Sequence, residues 1–122
     1  METTLHPVLS VRLFKEEKCF GPGIAQLLER VEEHHSLRAA AASMDMAYSK
    51  AWTMVRRCEG VLGFSLLTSA TGGRGGGGAA LTQEARTLLA CYHDYRAQLE
   101  HCAQALFAKT FAPFLKEDGH GL

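Results

Sequence analysis

Ser36-Leu37-Arg38-Ala39-Ala40-Ala41-Ala42-Ser43-Met44, then Asp45-Met46-Ala47, then Tyr48-Ser49-Lys50-Ala51-Trp52 and on to Leu62, is the stretch from which the rest of the chain can be read. Ser36 suits an N-cap, because its hydroxyl can accept one of the N–H groups that a helix start leaves unpaired. It opens a short helix from Leu37 to Met44, whose alanine run has high helix propensity and little bulk, so a neighbouring helix can approach closely. Asp45-Met46-Ala47 makes a tight turn. A second helix is predicted from Tyr48 to Leu62, with Ala51, Val55, Cys58 and Leu62 sharing one face and Gly63 ending it. Two short helices joined by a turn of about three or four residues are the signature of a helix-turn-helix.

Beyond this core, Phe64 to Thr68 is strand-like, the Gly72–Gly78 tract is a flexible tip around Arg74, and Ala79-Ala80-Leu81 returns. A hairpin placed directly after the second helix of a helix-turn-helix is a wing. Thr82 then caps a long final helix, about residues 83–108, with Leu88, Tyr92, Tyr95, Leu99, Cys102 and Leu106 along a heptad-like seam. Such a helix is about 39 Å long, more than a small three-helix body can cover. The seam therefore implies self-association, the alternative being that it folds back on its own domain. Phe107, Phe111 and Phe114 add apolar bulk near Pro113, where the helix is expected to have ended.

On the other side, Pro22 opens a helix over about residues 22–34, with Ile24, Leu27, Leu28 and Val31 at helical spacing. Val8 to Phe14 reads as a strand, Lys15-Glu16-Glu17-Lys18 as a polar turn, and Cys19-Phe20 as a short returning strand. The expected fold class is mainly α with a small β component: a winged helix-turn-helix with a three-helix body, plus a long C-terminal dimerisation helix. The expected domains are 1–81 for the winged helix-turn-helix and 82–122 for the helix and a short tail.

Composition narrows the function. The 122 residues carry thirteen basic and thirteen acidic side chains, a formal net charge of zero, which argues against a uniformly basic nucleic-acid coat or an acidic disordered tail. The balance is uneven, however: residues 47–78 hold Lys50, Arg56, Arg57 and Arg74 against Glu59 alone, so the positive surplus falls on the candidate second helix and the wing. No apolar run approaches the ~20 residues that span a bilayer, and Met1 to Pro7 lacks the order of a secretory signal. The expectation is a soluble, cytoplasmic chain with no membrane partner.

Candidate catalytic and metal chemistry finds little purchase. Gly73, Gly75 and Gly78 spell G-x-G-x-x-G, but between two short extended pieces rather than from a strand into a helix, so no nucleotide is expected. The serines and histidines form no local nucleophile motif, and no enzyme activity is expected. Cys91, His93, His101 and Cys102 lack zinc-like spacing, and His34-His35 read as a solvated helix end, so neither a metal nor a cofactor is expected. The four cysteines show no C-x-x-C and are expected as free thiols, with Cys58 and Cys102 at positions that helical spacing would bury. Trp52 is expected in the core, as a lone tryptophan in a small domain usually is, the alternative being that it flanks DNA.

Phe20-Gly21-Pro22-Gly23-Ile24-Ala25, Ser36-Leu37-Arg38-Ala39-Ala40-Ala41, Met46-Ala47-Tyr48-Ser49-Lys50-Ala51-Trp52 and Thr71-Gly72-Gly73-Arg74-Gly75-Gly76-Gly77-Gly78-Ala79 together resemble the N-terminal domain of molybdate-responsive transcriptional regulators of the ModE type. That domain belongs to the wider winged-helix class that includes LysR-type regulators, and the resemblance covers about residues 8 to 100. It implies a bacterial, DNA-binding transcription regulator that dimerises through its long terminal helix. It further implies that Tyr48, Ser49, Lys50 and Thr53 lie on the recognition helix, that Arg56 reaches a flanking phosphate, and that Arg74 reaches the adjacent minor groove.

The chain departs from the pattern at Ala47, where a capping serine is usual, at Thr53, where a basic residue is common, and along Leu67–Thr71, which lacks basic residues. Full-length regulators of this type carry C-terminal molybdate-binding domains. After the wing this sequence holds only a helix and a short tail, so molybdate is not expected to bind it. The implied function is sequence-specific binding of a pseudo-palindromic operator by a homodimer. The alternative is a winged-helix dimerisation or adaptor protein with weak or lost DNA binding.

Overall fold

The computed structural model describes residues 4–70 and 78–115, and the chain divides into two units, Ser10–Cys91 and Met1–Leu9 with Tyr92–Leu122. The elements run β1 (Leu13–Lys15), β2 (Glu17–Phe20), α1 (Pro22–His34), α2 (Leu37–Ser43), α3 (Tyr48–Leu62), β3 (Leu67–Ala70), β4 (Gly78–Leu81) and α4 (Gln83–Thr110), then a 3-10 turn at Ala112–Phe114. This is a winged helix-turn-helix, mainly α, with two small antiparallel hairpins and a long terminal helix.

Local chemistry sets the helix boundaries. Pro22 sits in the first turn of α1, where its missing N–H costs nothing. The helix ends at His35, which adopts a left-handed φ of 57° and donates its N–H to Val31 O at 2.7 Å. Ser36 then caps α2 by accepting from the Ala39 N–H at 3.0 Å. Ala40 and Ala41 are fully buried, and Arg30 of α1 donates to Ser43 Oγ at 2.7 Å, tying α1 to the end of α2. In the turn, the N–H groups of Met44 and Met46 both reach Ala41 O at 2.9 Å. Asp45 takes a left-handed φ of 54°, which aspartate tolerates better than most side chains.

Ile24, Leu27, Leu28, Val31, Ala51, Val55, Cys58 and Leu66 form the heart of the Ser10–Cys91 core. Each large apolar side chain removed from water contributes about 1.5–3 kcal/mol. Leu62, expected on the same face, is half-buried, and Gly63 ends α3 with a φ of +88°. Burial, reinforced by neighbouring Cys19 and Glu59, pushes the Cys58 thiol up to about 12.

Both hairpins differ in extent from the sequence reading. The first strand covers Leu13–Lys15 rather than Val8–Phe14, because its partner β2 is four residues long and pairing stops at Leu13↔Phe20. The polar turn narrows to Glu16, at φ 74°, with Lys15 and Glu17 already paired across it. The wing strand begins at Leu67 rather than Phe64, since the Leu66 N–H is taken by the Glu59 carboxylate at 2.8 Å and the ladder starts at Leu67↔Leu81. On the return strand, the Ala79 N–H donates to His35 O at 3.0 Å and so fixes β4 to the end of α1. The glycine tip, with Arg74, lies outside the described residues.

Thr82 caps α4 as its position suggested, accepting from the Ala85 N–H at 3.0 Å and donating to Ser65 O at 2.7 Å. The helix has 28 residues and ends at Thr110, two beyond the expected end. At 1.5 Å per residue it is about 42 Å long. Along its seam Leu88 is half-buried and Tyr92 buried, whereas Tyr95, Leu99, Cys102 and Leu106 are exposed. Cys102 therefore departs from the burial expected of it, because helical spacing selects a face but no described residue covers that face here. All four cysteines are free thiols. Near the end of α4, Phe107 stacks on Phe111 with centroids 4.8 Å apart. No helix among the described residues is long and apolar enough to cross a membrane.

Candidate nucleic-acid interface

The buried line Ala51–Val55–Cys58 turns the opposite face of α3 outward. Tyr48, Ser49, Lys50, Thr53, Arg56 and Arg57 are all exposed. By helical rotation Ser49 and Thr53 lie near the middle of that face, Tyr48, Trp52 and Arg56 form one flank, and Lys50 and Arg57 the other. Five of the six residues expected at the site, Tyr48, Ser49, Lys50, Thr53 and Arg56, thus share one helix surface. The sixth, Arg74, lies outside the described residues.

The flank made by Tyr48, Trp52 and Arg56 faces the wing across an open groove of about 440 Å³, closed on the far side by Leu67, Thr68, Ser69 and Gly78. Two arginines stack on its aromatics: Arg38 of α2 lies 4.1 Å from the centroid of Tyr48, and Arg56 lies 4.9 Å from that of Trp52. A cation held over a ring face is attracted by the ring quadrupole and loses part of its rotamer freedom in advance of binding. Arg56 also reaches Glu59 Oε1 at 3.5 Å, a long and mostly exposed contact that a phosphate can displace. Lys50 makes no ion pair among the described residues.

Trp52 corrects the sequence reading. It is 44% exposed rather than packed in the core, because it falls on the Tyr48–Trp52–Arg56 flank, about 100° around the helix from Ala51. Arg38 was also missed as a groove residue. The Tyr48–Trp52–Arg56 spacing of four was a readable signal for the stripe, whereas the reach of Arg38 depends on how α2 crosses α3. The start of α3 is uncapped by any side chain, Ala47 being at the N-cap, so the foremost N–H groups of the helix point outward beside Tyr48 and Ser49. Among the described residues no three His, Cys, Asp or Glu side chains gather into a metal-sized cluster.

An exposed polar helix tip, flanking arginines and an adjacent wing are the equipment of a groove reader. Residues 25–86 match the family described as bacterial regulatory helix-turn-helix protein, lysR family. The chain belongs to that family. It is also similar to several curated proteins with molybdenum-related or ModE names. It is 36% identical over 66 residues to the molybdenum-pterin-binding protein MopB of Rhodobacter capsulatus, covering 54% of this chain and 24% of that protein. It is 32% identical over 68 residues to the molybdenum transport protein ModE of Herbaspirillum seropedicae, covering 56% of this chain and 25% of that protein. With the DNA-binding transcriptional dual regulator ModE of Escherichia coli K12 it shares 32% identity over 89 residues, 72% of this chain and 34% of that regulator. The matched stretch thus spans between a quarter and a third of these relatives. The resemblance to an N-terminal ModE-type winged helix-turn-helix, carried in the sequence by Tyr48–Trp52 and the glycine-rich tract, agrees with the family match over residues 25–86 and with relatives that share only part of their length with this chain.

Proposed function

We propose that this protein is a cytoplasmic transcription regulator that binds duplex DNA as a homodimer and acts without catalysis. The observation that carries the reading is the exposed outward face of α3, where Tyr48, Ser49, Lys50 and Thr53 stand free of the core. In this reading residues 1–81 form the DNA-binding domain and residues 82–122 the dimerisation helix and tail. The N-terminal end of α3 enters the major groove; Lys50 donates to guanine O6 or N7, and Ser49 and Thr53 bond base edges or phosphate. Arg56 neutralises a flanking phosphate and Arg74 reaches the adjacent minor groove.

Dimerisation is supported by the exposed seam of α4. Tyr95, Leu99, Cys102 and Leu106 repeat at heptad spacing and leave apolar surface that a second α4 would cover. Two recognition helices then meet successive major grooves about 34–36 Å apart on a pseudo-palindromic operator. Molybdate is no ligand of this chain in the proposal.

Selection of bound duplexes from a random pool, followed by anisotropy titration of the winners at rising salt, tests the whole reading. The expected result is a two-fold-related consensus, affinity that falls steeply with salt, and loss of sequence preference in Lys50→Ala. A dimer that enriches no sequence and binds no duplex would refute it and favour the adaptor reading instead.

A further inference from the structure

α3 has a second charged flank, on the side away from the wing. There the N-terminal hairpin, the start of α1 and α3 enclose a cavity of about 250 Å³ whose charged lining residues are Arg12, Lys18 and Arg57, with no carboxylate among them. Thr53, at the middle of the outward face of α3, lines the same cavity and makes it continuous with the proposed base-reading surface. We infer that this hairpin-side flank is a second phosphate clamp, which grips the DNA strand on the opposite edge of the major groove from the wing.

The inference rests on the proposed function and extends it to residues outside the 25–86 family match, since the hairpin precedes that stretch. A helix lying in the major groove has a phosphate backbone on each side, about 12 Å apart across the groove. Wing-side charge, from Arg38 and Arg56, meets only one of them. On the other side Arg57 projects from α3 itself, while Arg12 and Lys18 come from the chain just before β1 and from β2.

Their placement has local causes. Gly21 gives Arg12 room to lie against the start of α1, since a Cβ there would stand 3.2 Å from Arg12 Cγ. Arg12 also donates to Ser10 Oγ at 2.7 Å, a neutral partner that leaves its charge uncompensated. No acidic residue occupies the first turn of α1. Glu16 and Glu17 at the hairpin tip line the neighbouring cleft with Lys15 and Arg57. The four cations of the two clefts outnumber these two carboxylates, and the cavity nearest Thr53 contains cations only.

The test compares wild type, Arg12→Ala/Lys18→Ala and the charge-keeping Arg12→Lys/Lys18→Arg, all as full chains, on a selected duplex and an unrelated duplex of equal length. Each phosphate contact contributes about 0.9 to the slope of log affinity against log salt. The alanine pair is expected to reduce that slope by about 2 and to weaken both duplexes by a similar factor, on the order of tenfold. The charge-keeping pair retains the wild-type slope, and circular dichroism shows both variants folded. An unchanged slope in the alanine pair overturns the inference while leaving the base-reading face intact; wild type that binds neither duplex overturns the proposed function and this inference with it. Inorganic pyrophosphate supplies the third arm. A thermal shift in wild type that disappears in the alanine pair, with DNA slopes unchanged, would assign the cavity to a small free anion and overturn the clamp.

Discussion

Glu59 links α3 to the wing, and replacing it is the sharpest test of how the two are held. Its Oε2 accepts the Leu66 N–H at 2.8 Å, and Leu66 is completely buried one residue before β3 begins. In Glu59→Ala that part-buried N–H loses its charged acceptor. A hydrogen bond to a charged group is worth about 1.5–3 kcal/mol. The Arg56 contact at 3.5 Å adds little, because the Arg56 side chain is 63% exposed and solvent screens it. The expected loss is therefore about 2 kcal/mol, the middle of that range. For a cooperative unit of about 60–100 residues, 1 kcal/mol moves Tm by about 4–8 °C, so the fall for the Ser10–Cys91 unit is about 8–16 °C. Glu59→Gln keeps a carbonyl acceptor at the same reach and should lose roughly half as much. Thermal unfolding followed at 222 nm, with urea titrations for the free energy, measures both. An alanine variant within about 0.5 kcal/mol of wild type, the range of an ordinary surface change, would refute the reasoning. So would a glutamine variant as damaged as the alanine one.

Three further outcomes are expected. Ala47→Ser should stabilise the protein by about 1 kcal/mol, because the N-cap of α3 is extended and offers no side-chain acceptor; an unchanged urea midpoint would mean that the hydroxyl cannot reach Ser49 or Lys50 N–H. Cys58, with its thiol raised from 9.0 to about 12 in the fold, favours the native state fully below pH 9 and loses that preference as pH rises toward 12, by up to about 1.4 kcal/mol per pH unit. Urea titrations at pH 8, 9 and 10 should show this decline shrinking in Cys58→Ala, and an identical decline in the variant would exclude Cys58 as its source. On α4, Leu106→Glu should convert the proposed dimer to monomer in sedimentation and speed alkylation of Cys102 relative to exposed Cys91; a variant that still sediments as a dimer would place the interface elsewhere.

Much of this protein was settled by short-range chemistry that a linear reading can follow. Ser36 and Thr82 supply hydroxyls to helix starts, Pro22 has no N–H to strand, and Gly63 accepts the left-handed backbone that ends α3. Each acts within one helical turn, so the predicted limits of α1 and α3 agree with the observed ones, and the Ala51–Val55–Cys58 spacing fixed which face of α3 turns inward. Tertiary structure decided what depends on a partner distant in sequence. The extent of β1 follows from the shortness of β2, and the wing starts at Leu67 because a carboxylate seven residues earlier holds Leu66. Trp52 was misplaced because burial is a property of what packs against a face, and the flank it occupies opens on a groove. Cys102 differs for the same reason, since heptad spacing names a surface without naming its cover. Arg38 over Tyr48, and Arg12 and Lys18 beside Arg57, are meetings of separate elements; the crossing of helices and the fold of a hairpin create them, and no periodicity along one segment encodes them.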